Sequence, residues 1–205
     1  MPIELKVGKL SEVFNPYLEE YAFEMIEDYY PNYDDKNIIL KTAKAGHSEF
    51  WEELREDSDD FFTGEGGSVH IERMDTAVNV WVSTKIKDLS LAFDIFMGFT
   101  GTICSLEGLI KELTLMVKAF IKNDDWTLPS DLNESKLEKW IINADEEIES
   151  GKEMTYSNQE YLVANLLVMA KYAQKNKQPL WMFNYPPLGF LKMAVESYGR
   201  KIEEM

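Results

Sequence analysis

Cysteine is nearly absent from this chain: among 205 residues only Cys104 carries a thiol. An intrachain disulfide and a cysteine-rich zinc site are therefore excluded, and the composition suits a reducing compartment. Arginine is almost as scarce, with Arg55, Arg73 and Arg200 alone, which leaves little for bidentate reading of phosphates. There are two imidazoles, His47 and His70. No stretch reaches the roughly 18 consecutive apolar residues of a membrane span. The opening Met1-Pro2-Ile3-Glu4-Leu5-Lys6 lacks the long apolar run of a signal peptide. These absences predict a soluble, cytoplasmic protein with no membrane partner.

Catalytic signatures are missing as well. No Gly-x-Ser-x-Gly elbow supports a serine nucleophile. No Gly-Lys-Ser/Thr loop occurs, and no His-Glu-x-x-His spacing. Gly64-Glu65-Gly66-Gly67 follows a helical pattern and precedes a strand, the reverse of a phosphate-binding loop, so it reads as a turn. His70, Glu72 and Asp75 cluster in sequence, but a metal site would need His47 from a distant element. They read as the polar side of a half-buried strand, and neither a metal nor a cofactor is expected.

What the chain has in excess is acid. It holds 37 acidic and 21 basic side chains, a net charge of −16. Residues 1–60 contain 16 acids and 6 bases, a net of −10. The densest window contains Glu49, Glu52, Glu53, Glu56, Asp57, Asp59 and Asp60, relieved only by Arg55. A field of that sign repels nucleic acid and attracts basic protein surfaces. At 45% apolar and 13% aromatic, however, the chain is too hydrophobic for a disordered acidic tail. A chain of this length buries roughly 70% of the surface that its unfolded form exposes.

Periodicity predicts helices first. Asn15-Pro16 opens one that ends at Pro31, a second tract covers Asp35 to Ala45, and Ser48 caps a third with Phe50, Trp51 and Leu54 as its apolar stripe. Alternation then replaces helical spacing. Val69 and Ile71, then Val78, Val80 and Val82, then Leu89 to Met97 predict about three strands in a small antiparallel meander with one apolar face. Ser105 to Lys122 carries Leu106, Leu109, Ile110, Leu113, Val117, Phe120 and Ile121 along one stripe, the strongest helix signal in the chain. Further helices are predicted along Leu137 to Ile148, after the capping box Ser157-Asn158-Gln159-Glu160, and after Pro186-Pro187.

The expected architecture is therefore α+β: a helix-rich single domain over residues 1–205 with a small central antiparallel meander covered by helices. The polar connection around Leu128-Pro129-Ser130-Asp131 suggests sub-lobes at 1–123 and 132–205.

Three readings of function follow. The first is a non-enzymatic inhibitor of the immunity-protein, antitoxin or phage type, whose acidic surface occupies a basic site on a nucleic-acid-acting protein. Its contacts are Glu49, Glu52, Glu53, Glu56, Asp57, Asp59 and Asp60, with Trp51 as an aromatic anchor. The second is a small enzyme or small-molecule binder. Its candidate residues are Cys104, at a predicted strand-to-helix junction where a helix N-terminus activates a thiol, and Asp94, which interrupts an apolar run. The third is an oligomeric scaffold that associates through the aromatic tract Trp181 to Tyr185.

Overall fold

A computed structural model describes residues 2–8, 41–47, 54, 78–83, 91–94, 100–123, 126–152 and 155–183. These residues form a mixed α+β fold. Strands β1 (Pro2–Val7), β2 (Lys41–His47), β3 (Val78–Val82), β4 (Leu91–Asp94) and β5 (Thr100–Ser105) come first. Helices α1 (Leu106–Lys122), α2 (Glu134–Ser150) and α3 (Asn158–Asn176) follow, and β6 (Leu180–Phe183) closes the series.

The six strands share one sheet in the order β2-β1-β6-β3-β5-β4. β6 lies between β1 and β3 and is antiparallel to both, whereas β3 and β5 run parallel. The expected antiparallel meander is thereby corrected. β3 and β4 are consecutive in sequence, yet β5 stands between them, and within this trio β4 and β5 are the antiparallel pair while β3 and β5 are parallel. Local alternation identifies strands but carries no information on partners far away in sequence.

Two further elements differ from expectation. Lys41–His47 overlaps the tract Asp35 to Ala45 predicted to be helical, but it pairs along its length with β1, with a register shift between Ile3 and Glu4. Its Lys and Ala content favours helix locally, and pairing with β1 outweighs that preference. The aromatic Trp181 tract, framed by Pro179 and Pro186 as a loop would be, begins as an interior strand. Leu180, Trp181, Met182 and Phe183 are all buried. A short unbroken apolar run between prolines is the pattern of a strand buried on both faces.

The centre of the sheet is buried on both sides, where one apolar face was expected. Ile3, Leu5, Val7, Leu180, Met182, Trp81 and Cys104 join the helices in one hydrophobic cluster. Lys6, Val80, Trp181 and Phe183, at alternating positions on the same strands, are buried too. The Lys6 ammonium is 3.2 Å from Glu4 and 5.8 Å from the centre of the Phe183 ring, so the buried cation has both a carboxylate and a ring face. Trp181 donates from its indole nitrogen to the Gly8 carbonyl at 3.0 Å. Gly8 has φ +154°, a conformation open to glycine and rarely to other residues.

The helices match their sequence signals closely. Ser105 caps α1 and accepts from the Gly108 amide at 3.2 Å. Leu106, Leu109, Leu113, Met116 and Val117 are buried along its inner side. Asn133 caps α2, and Gly151 ends it in the left-handed conformation at φ +64°. The Ser157–Glu160 capping box is present at the start of α3, and every residue from Glu160 to Ala170 is buried. The Glu160–Ala170 part of α3 is enclosed on all sides as its apolar content requires, while Gln174 and Lys175 near its end are exposed. The connection between α1 and α2 is packed into the same core. Trp126 stacks on Phe120 with ring centres 4.7 Å apart, and Leu128 and Leu132 are buried.

Candidate functional site

The seven carboxylates proposed as a contact surface (Glu49, Glu52, Glu53, Glu56, Asp57, Asp59 and Asp60) lie outside the described residues, as does Trp51. One residue inside that window is described. Leu54 is helical, has no exposed surface, and belongs to the main core cluster with Ile3, Leu5 and Leu113. One position of the apolar stripe Phe50, Trp51 and Leu54 is therefore buried in the body of the protein, and the other two lie outside the described residues.

A second acidic surface emerges on α2, which sequence reasoning passed over. Asp145, Glu146, Glu147 and Glu149 fall in its last two turns, and its final turn contains no base. Two of these carboxylates are tied down. Asp145 accepts from the Tyr161 hydroxyl at 2.6 Å, and Glu147 accepts from the Thr155 amide and hydroxyl at 3.1 Å. Glu146 and Glu149 are exposed. By helical spacing Glu146 neighbours Ile142, which is itself 56% exposed, and Glu149 lies a further turn along. Four acids at a helix C-terminus oppose the helix dipole. The signal was present in the sequence as Asp145-Glu146-Glu147 with Glu149 and no nearby base before Lys152.

Beneath that surface, α2 and α3 are joined by polar groups that sequence alone did not connect. Glu160 is buried, yet its carboxylate accepts from the Thr127 amide, the Thr127 hydroxyl at 2.9 Å and the Ser157 amide at 2.7 Å. Trp140 donates to the same Thr127 hydroxyl at 3.2 Å. A buried carboxylate satisfied in this way is a structural clamp that holds the α1–α2 connection against α3. Trp140 also meets Tyr156 edge to face at 5.0 Å, and Tyr156 donates to the Ala144 carbonyl at 2.7 Å. Burial, with the Asp145 carboxylate second, pushes the Tyr161 phenol well above its usual range. Burial also raises Tyr156, with Glu147 and Asp145 adding to the effect.

Toward the C-terminal end of α3, Lys41 lies 3.2 Å from Glu138 and 4.5 Å from the centre of the Tyr172 ring. It fastens β2 to α2 and α3. Lys171 donates to the Leu132 carbonyl at 2.6 Å, and Leu132 has a left-handed φ of +49°. Burial pulls the Lys171 ammonium below its usual pKa. These contacts position elements, and none presents an unoccupied reactive group to solvent.

The residues of the alternative readings fall as follows. Cys104 is 1% exposed, on β5 immediately before the cap of α1, opposite Trp81 in the register. Asp94 ends β4 opposite Thr100. Thr100 is four positions from Cys104 along the same strand, about 13 Å at the usual strand rise. The fold therefore does not bring Cys104 and Asp94 together. His47 ends β2 opposite Pro2, while His70, Glu72 and Asp75 lie outside the described residues. Among the described residues no group of three His, Cys, Asp or Glu side chains is placed to hold a metal ion. None of the described helices is long and apolar enough to cross a membrane. In the Trp181–Tyr185 tract, Trp181 and Phe183 are buried within this chain, and Tyr185 is outside the described residues.

Set against family models, curated proteins and solved structures, the chain matches none.

Proposed function

We propose that this chain is a non-enzymatic acidic protein that binds a basic partner protein. Its role is that of an inhibitor, of the immunity-protein, antitoxin or phage type, occupying a basic site on a nucleic-acid-acting protein in the cytoplasm. Glu49, Glu52, Glu53, Glu56, Asp57, Asp59 and Asp60 make the charged contacts, and Trp51 serves as an anchor.

The observation that carries this reading is the burial of Leu54 inside the acidic window. A solvated acidic tail has no need of a core anchor, whereas a recognition surface gains from being fixed to a folded body, since less freedom is lost on binding. The net charge of −16 supports it through long-range steering toward a positive cleft. In the competing reading, a small enzyme or small-molecule binder with Cys104 and Asp94 at its pocket, Cys104 is buried and remote from Asp94 in the register.

The test is capture from the source cell with the tagged chain at low and at high salt. A basic protein retained at low salt and released at high salt supports the reading. If low salt yields no basic protein, the proposal fails.

A further inference from the structure

We draw no further inference here: the strongest candidate, the solvent-facing side of α2 where exposed Ile142 lies one helical turn from exposed Glu146, carries nothing because nothing in the structure shows what covers it.

Discussion

The Tyr161 hydroxyl donates to the Asp145 carboxylate at 2.6 Å, linking the first turn of α3 to the acidic half of α2. The bond exists only while the phenol keeps its proton, and the folded state holds that proton more tightly than the unfolded chain does. Because the folded pKa is raised, the stabilisation is fully present below the unfolded tyrosine pKa of about 10 and is lost as pH rises beyond it. We expect the denaturant midpoint to fall above about pH 10. Tyr161→Phe should cost about 1.5–3 kcal/mol at neutral pH, the worth of a hydrogen bond to a charged group, and flatten the alkaline limb. An alkaline limb of equal steepness in wild type and variant would contradict this.

Leu54, within the acidic stretch of the sequence, is itself part of the core. Leu54→Ala should destabilise by about 2–5 kcal/mol, as expected for a fully buried leucine. Thermal and denaturant unfolding measure the effect. A loss below about 0.5 kcal/mol, typical of surface sites, would show that the side chain is not enclosed and would remove the argument for a fixed acidic surface.

Cys104 is buried beside Trp81. Thiol reagents should label the native protein slowly, at a rate that rises with denaturant as opening exposes the sulfur. Rapid stoichiometric labelling at neutral pH, without denaturant, would revive the reactive-thiol reading.

The last turns of α2 contain acids where the helix dipole favours bases. Glu149→Lys should stabilise the protein by roughly 0.3–1 kcal/mol at low ionic strength, and salt should erase the gain. The shift in unfolding midpoint at two salt concentrations checks this. A destabilised variant would mean that Glu149 makes a favourable contact of its own.

The helices were legible because their determinants are local. The leucine stripe of α1, the Asn133 cap and the Ser157–Glu160 capping box lie within a turn or two of what they control. The sheet was legible only in pieces. Val78, Val80 and Val82 alternate visibly, but that β5 rather than β4 pairs with them depends on residues far apart in sequence. β2 was hidden by Lys and Ala side chains that suit a helix, and β6 by prolines that frame it as a loop. Alternation at Ile3, Leu5 and Val7 could have revealed β1. As for the site, Leu54 of the predicted apolar stripe is buried, whereas the acidic end of α2 is masked in the sequence by the denser acidic window upstream.

The central claim concerns electrostatic recognition of a basic partner, and the most direct test is the salt dependence of that binding. Affinity of the captured partner should be measured from low to high ionic strength for the wild type and for a Glu52→Lys, Glu56→Lys, Asp59→Lys triple variant whose unfolding midpoint matches the wild type. The account predicts at least a tenfold loss of affinity at low salt, about 1.4 kcal/mol, and a shallower dependence on salt in the variant. Equal affinity and equal salt dependence for the two proteins would contradict it.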